Sequence, residues 1–223
     1  MLKNFYKYCA LSLSVMSALA LNPVIANADV LPENSTGLEV ANSIENESIA
    51  PKWSISKGEL RDNFATVVKA GKAAGYTTAS YFLDHSLNDS PSDLFYSAST
   101  SVAKQIQNSS EYSTILKSVS STLKNVTGNS YSKSGSTTLR STTDLHLAFN
   151  KVDYKVTATK SSNTWTVKIV FTDIYDFDDV PWLSYGSSLS SLAVNYINNY
   201  AALAQSMDAI VPFDISVTTS TTV

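Results

Sequence analysis

The sequence predicts an α+β domain, and three observations carry this prediction. Apolar residues recur at helical spacing between residues 56 and 126. Two later segments, 152–158 and 165–171, alternate apolar and polar side chains as the strands of a hairpin do. A stretch beginning at Leu189 then returns to the helical period. Because helices and strands come in separate runs, we expect N-terminal helices packed on a small antiparallel sheet, the hairpin at about 152–171, with a long C-terminal helix.

The start of the chain has the layout of an export signal. Lys3 and Lys7 precede an uncharged apolar run, and the small residues at 26–28 fit a cleavage site. The apolar run is too short to span a bilayer comfortably. We therefore expect a signal peptide over 1–28 and a flexible acidic leader over 29–55, giving a secreted bacterial protein with no transmembrane segment after signal cleavage.

The first helix of the domain has clear end signals. Ser56 with Glu59 three residues later forms the pattern of a capping box, and Gly75 suits a helix C-terminus. Thr77 or Thr78 can cap a second helix. A loop should follow over 88–93 because that stretch contains Asn, Asp, Ser and Pro.

Two more helices are predicted between Ser99 and Val126, with Ser110 as the N-cap of the second. Residues 127–138 are rich in Ser, Gly and Thr, which favours a loop or an exposed edge hairpin. A short capped helix should then occupy 141–149.

The remaining elements complete the predicted domain, which spans residues 56–217. A tight turn at 161–163 should join the two hairpin strands. Residues 210–217 could return as a last short strand, and 218–223 should be a disordered polar tail.

Composition and charge narrow the possible functions. The chain has 223 residues, 16 Lys and Arg against 19 Asp and Glu, and one cysteine. The acidic balance argues against nucleic acid as a partner. The single Cys9 excludes a disulfide framework and lies in the predicted signal peptide, so the mature chain would have no cysteine. Ser and Thr make up about a quarter of the sequence, which gives a polar, weakly charged surface of the kind common in exported proteins. Tyr occurs 12 times; exposed Tyr would suit glycan or protein recognition, but Tyr is more often half-buried in a core.

The densest group of chemically capable residues is the acidic run 173–179. On a strand, Asp173 and Tyr175 would face one side, and Asp176 and Asp178 the other. Carboxylates this close repel one another unless a cation offsets them. Asp173, Asp176 and Asp178 are therefore candidate ligands for Ca²⁺ or Mg²⁺. The competing interpretation is a solvated strand end with Tyr175 in the core.

Two histidines could support acid/base chemistry. His85 follows Asp84, and His146 lies two residues after Asp144. A catalytic set of Asp173, Tyr175, Asp176 and His85 requires the fold to bring His85 to the acidic run. A capping or packing role is the alternative for both histidines.

The chain resembles a domain of uncharacterised secreted bacterial proteins and toxin-like tails in three segments, 82–87, 143–145 and 173–177. The resemblance covers about residues 56–217. The Asp173-x-Tyr175-Asp176 segment is also similar to the motif of colicin M-type enzymes, which cleave a lipid-linked peptidoglycan precursor at its phosphate. The His-Arg pair of that motif is absent here, where the chain continues through 180–183 as Val-Pro-Trp-Leu.

Two functions fit these observations. The first is an extracellular or envelope-associated interaction protein whose partner is a cell-envelope component or another protein. The second is an acid/base or metal-assisted hydrolase, such as a toxin acting on phosphate esters of the cell envelope.

Overall fold

The described part of the molecule is built on a five-stranded mixed sheet. The computed structural model describes residues 55–177 and 200–223. The predicted signal peptide, nearly all of the acidic leader, Asp178 and Asp179 lie outside these residues. The strands are β1 (Leu94–Tyr96), β2 (Ser130–Thr138), β3 (Lys151–Ser161), β4 (Thr164–Tyr175) and β5 (Phe213–Thr222). Their order is β1-β5-β4-β3-β2, with β1 parallel to β5 and every other pair antiparallel.

The predicted hairpin is the centre of this sheet. β3 and β4 pair from Asp153–Thr172 to Ser161–Thr164 and turn at Ser162, whose φ is 54°. Each strand exceeds the predicted segment by several residues. Their inner faces are apolar and buried, because side chains alternate along both strands.

The prediction of a small antiparallel sheet was wrong. β2 lacks apolar alternation and was predicted as a loop or edge hairpin, yet its backbone pairs with β3 over nine residues. β1 is only three residues long and pairs in parallel with the end of the chain. The predicted disordered tail is instead strand, since Thr222 pairs with Thr166 on β4. β2 and the end of β5 are rich in Ser and Thr, so they lack the apolar alternation by which a hydropathy pattern identifies a strand, although Thr is favourable in a pleated sheet.

The predicted long C-terminal helix is not found in the described residues. Helical backbone there covers 200–206, and the chain then enters β5. The predicted start of that helix at Leu189 lies outside the described ranges.

Five helices are described with both ends. They are α1 (Lys57–Ala73), α2 (Thr77–Ser86), α3 (Ser101–Gln107), α4 (Ser110–Leu123) and α5 (Thr143–Phe149). The capping box of Ser56 and Glu59 is present, and Gly75 has a φ of 85° just after α1, as the sequence predicted. The N-cap of α4 is Ser109 rather than Ser110, and its side chain accepts from the Tyr112 amide.

The N-terminus of α2 is capped from another helix. The prediction of Thr77 or Thr78 as its cap was wrong, because the N-cap is Tyr76 and makes no side-chain cap bond. Instead, both carboxylate oxygens of Asp144 on α5 accept backbone N–H groups, from Thr78 at 3.1 Å and Ala79 at 2.9 Å. The negative carboxylate also suits the positive end of the helix. One side chain thereby fixes two helices that are 66 residues apart in sequence.

The helices cover one face of the sheet. The buried hydrophobic side chains form one core cluster, to which α1, α2, α4 and the inner faces of β3, β4 and β5 contribute. Phe64, Phe82 and Phe171 are among its largest fully buried members. The opposite face of the sheet is polar and largely exposed. Within the described ranges, no helix has the length and apolar character required to cross a bilayer.

Candidate functional site

The predicted catalytic residues on β4 lie at the C-terminal end of this strand. Asp173 and Tyr175 lie on the helix-covered face, in line with buried Phe171. Tyr175 pairs with Phe213 and Asp173 with Ile215 on β5. The alternation predicted from the sequence therefore places an acidic side chain among apolar neighbours at this end of the sheet.

Asp173 is a half-buried carboxyl group with an altered acidity. Burial is the main cause that raises its pKa from 3.8 to about 8, and the nearby carboxylates of Asp176 and Asp153 raise it further. The backbone N–H of Ile174 donates a hydrogen bond that offsets part of this rise in pKa. At neutral pH the Asp173 carboxyl group is therefore largely protonated and can donate a proton or a hydrogen bond.

Tyr175 belongs to an aromatic cluster rather than to an open cleft. Its ring stacks on Phe213 at 5.2 Å between centroids and meets Phe82 edge-on at 6.0 Å. Burial raises the pKa of its phenol well above the ordinary value of 10. Both observations match the alternative interpretation, in which Tyr175 is part of the core.

His85 reaches the same end of the sheet from the last turn of α2. The carbonyl of Ser86 accepts the Val211 amide at 2.8 Å, which brings this helix end beside the start of β5. The His85 ring meets Phe213 edge-on at 4.7 Å. Its Nε2 lies 2.8 Å from the Ser92 carbonyl oxygen, so Nε2 carries the donated proton. His85 and Tyr175 therefore both contact Phe213, but no described hydrogen bond or ion pair joins His85 to Asp173.

The remaining predicted site residues are less concentrated. Asp176 is exposed just beyond β4, and Asp178 lies outside the described residues. No group of three or more His, Cys, Asp or Glu side chains suited to holding a metal ion occurs within 55–177 and 200–223. The metal site of Asp173, Asp176 and Asp178 stays a prediction. His146 is half-buried on α5, and its Nδ1 is buried without a hydrogen-bond partner among the described groups.

Sequence reasoning missed a second surface, the uncovered face of the sheet. Strand pairing aligns its outward side chains in cross-strand rows. Three adjacent rows form what we call the hydroxyl panel: Ser130–Thr159–Thr166–Thr222, Ser132–Thr157–Lys168–Ser220 and Ser134–Lys155–Val170–Thr218. Nine of these twelve side chains are Ser or Thr, and only Val170 and Thr218 are half-buried rather than exposed.

Within its three rows the hydroxyl panel has two ionisable side chains, Lys155 and Lys168, in a chain whose formal net charge is −3. The next two rows of the same face bring the exposed carboxylates of Asp153 and Asp214, so the net positive charge is confined to the panel itself. The two lysines occupy neighbouring strands one row apart, a diagonal position with a separation of about 7–8 Å. Neither lysine forms an ion pair with a carboxylate among the described residues.

Two exposed apolar side chains lie on the same face, one and two rows beyond the panel. Phe95 on β1 pairs with Ser216 and is 78% exposed, in the row next to the panel. Ile174 near the end of β4 is 56% exposed. A Phe side chain this exposed, on a strand of only three residues, contributes little to the core.

The alternating Lys and Thr of 155–159 and 164–168 were the available signal for this face. The sequence predicts these two segments as hairpin strands, but it does not indicate that β2 and β5 extend the same face. The panel can therefore be identified only from the strand order.

Comparison with protein-family models, curated proteins and solved structures returns no match for this chain. The resemblance to the domain of secreted bacterial proteins and to the colicin M-type motif accordingly remains a prediction.

Proposed function

We propose that this protein is a secreted, extracellular or envelope-associated interaction protein that binds through the hydroxyl panel. The export layout of residues 1–28 supports its location outside the cell. The single observation that carries the binding proposal is the continuous exposed face of hydroxyl and lysine side chains. Its partner would be a component of the cell envelope.

The composition of the panel supports binding more than simple solvation. A solvated sheet face commonly mixes charges of both signs, which favours solubility. The three rows of the panel contain nine hydroxyl side chains and only two charges, and the next row adds the Asp153 carboxylate and the exposed ring of Phe95. Hydroxyl groups can donate and accept hydrogen bonds without the large desolvation cost of a charged group.

Sedimentation with isolated bacterial envelope material tests this proposal. We expect the purified mature chain to co-sediment, and a double charge reversal, Lys155→Glu with Lys168→Glu, to abolish most of the binding. Lys69→Glu with Lys117→Glu makes the same charge change on exposed positions of α1 and α4. Equal loss in both variants, or no binding by the wild type, would contradict the proposal.

Asp173 supports a second candidate function, that of an acid/base hydrolase acting on phosphate esters of the envelope. A carboxyl group that is protonated at neutral pH can act as a general acid toward a leaving group. Incubation with lipid-linked wall precursors, comparing wild type with Asp173→Asn and His85→Gln, tests this candidate. Release of a phosphorylated product by the wild type alone would support it, and no release by any of the three would exclude it for this substrate class.

A further inference from the structure

We propose that the hydroxyl panel recognises an acidic polysaccharide, an inference that rests on the panel being the binding surface and names the class of ligand. The occupant must be a polyanion that also presents many hydroxyl groups. The two lysines, the density of hydroxyl groups and the open shape of the surface each select part of this description.

The lysines select an anion. Lys155 and Lys168 are diagonal neighbours on β3 and β4, and neither forms an ion pair among the described residues. Asp153 lies one row beyond Lys155 on β3, so Lys168 is one row from Lys155 and two rows from the nearest described carboxylate of this face. Like charges at this separation repel one another, and an anionic group placed between them removes the repulsion. An acidic substituent on a polymer is attracted there although the whole chain is acidic.

The Ser and Thr side chains select a ligand that is itself rich in hydroxyl groups. Neighbouring strands place them about 4.8 Å apart, and alternate residues along one strand place them about 6.8 Å apart. Each hydroxyl group both donates and accepts, so the array can match sugar hydroxyl groups in either orientation. A polypeptide or a polyphosphate offers far fewer such groups.

The shape of the panel and its border select an extended chain. The face consists of paired strands and not of a cavity, whereas small molecules bind mostly in concave sites. Phe95 lies beside Ser216, one row beyond Thr218, so a chain crossing the panel can reach its ring. The C–H face of a sugar packs favourably on an aromatic ring because both surfaces are apolar.

Binding to three matched polymers tests the inference. Carboxymethyl dextran carries acid groups on a sugar backbone, dextran lacks the acid groups, and poly-glutamate lacks the sugar. We expect the mature chain to bind carboxymethyl dextran at least about tenfold more tightly than the other two, and to lose affinity as salt increases. Equal binding to dextran would refute the role of charge, and equal binding to poly-glutamate would refute the role of the hydroxyl groups.

Variants locate the binding on the panel. Lys155→Gln with Lys168→Gln should reduce affinity for carboxymethyl dextran about tenfold, whereas Lys69→Gln with Lys117→Gln on the helical side should leave it unchanged. Thr159→Val with Thr166→Val keeps the shape of a cross-strand pair, removes two hydroxyl groups and should weaken binding further. Unchanged affinity in both panel variants would overturn the inference. Binding to envelope material that depends on the panel, without binding to carboxymethyl dextran, would refute the ligand class and leave the proposed function in place.

Discussion

Replacing Asp173 with Asn should stabilise the protein at neutral pH and leave its stability at pH 4 nearly unchanged. The carboxyl group has an ordinary pKa of 3.8 when the chain is unfolded and a pKa of about 8 in the fold, mainly because it is half-buried opposite Ile215. Folding therefore has to take up a proton at any pH between these two values. Asn has nearly the same shape, stays neutral, and can still accept the hydrogen bond from the Ile174 amide.

The size of the effect follows from the two pKa values. One pKa unit of difference between the folded and unfolded states corresponds to about 1.4 kcal/mol, so at pH 7 ionisation favours the unfolded chain by at most about 4 kcal/mol. Partial exposure of the carboxyl group and local relaxation reduce this penalty, and we expect Asp173→Asn to raise the free energy of unfolding by about 1–3 kcal/mol. Because the folded-state pKa is raised, the penalty is absent below pH 4, grows with pH and levels off above about pH 8.

Urea unfolding of both proteins at several pH values between 4 and 8.5 measures this difference. The difference between variant and wild type isolates Asp173, since the other titrating groups are shared. Asp62→Asn on α1 makes the same substitution at an exposed position and is the matched control. Parallel stability curves for wild type and Asp173→Asn, or a variant that is less stable at pH 8, would refute the reasoning.

Three further substitutions test packing and capping through urea unfolding. Gly71→Ala should lower the free energy of unfolding, because the added Cβ would overlap the Ser80 Oγ. In a Ser80→Ala background the nearest atom is the Cβ of residue 80 at 3.7 Å, and the same substitution should raise the free energy of unfolding by up to about 1 kcal/mol. Asp144→Ala should lower stability by about 1–2 kcal/mol because two N–H groups of α2 lose their acceptor, and Asp144→Asn by less; equal stability of all three proteins would refute the capping role. Gly135→Ala places a Cβ 2.6 Å from the Tyr154 hydroxyl oxygen and should lose about 1–3 kcal/mol, a loss that must shrink when Tyr154→Val accompanies it.

Apolar periodicity predicted the elements that bury a hydrophobic face. The hairpin of β3 and β4 alternates Val, Ile and Phe with polar residues, and α1 carries both its capping box and its apolar stripe. These signals are local, so one sequence is enough to identify them.

The rest of the fold depends on pairing between distant segments. β2 is held by backbone hydrogen bonds to β3, and its Ser and Gly side chains carry no periodic signal. β1 exists only because β5 provides a parallel neighbour 121 residues later. The cap of α2 follows the same rule, since no local pattern indicates that Asp144 reaches the amides of Thr78 and Ala79.

The candidate site was predictable to a similar extent. The alternation that placed Asp173 and Tyr175 on one face could be inferred from the sequence. Their burial, and hence the raised pKa of Asp173, could not be inferred, because both depend on the pairing of β5 beside β4. Each row of the hydroxyl panel combines four strands, so its existence is a property of the strand order.

The position of β5 also bears on the timing of folding. This strand comes last in the chain but lies between β1 and β4. A chain that emerges from a ribosome or a membrane pore N-terminus first therefore cannot complete its sheet until residues 213–222 have appeared. Until then, the β4 edge and the short β1 lack their shared neighbour, and the inner faces of both strands remain without part of their cover. Such a topology delays completion of the sheet until β5 is available to pair with β4 and β1.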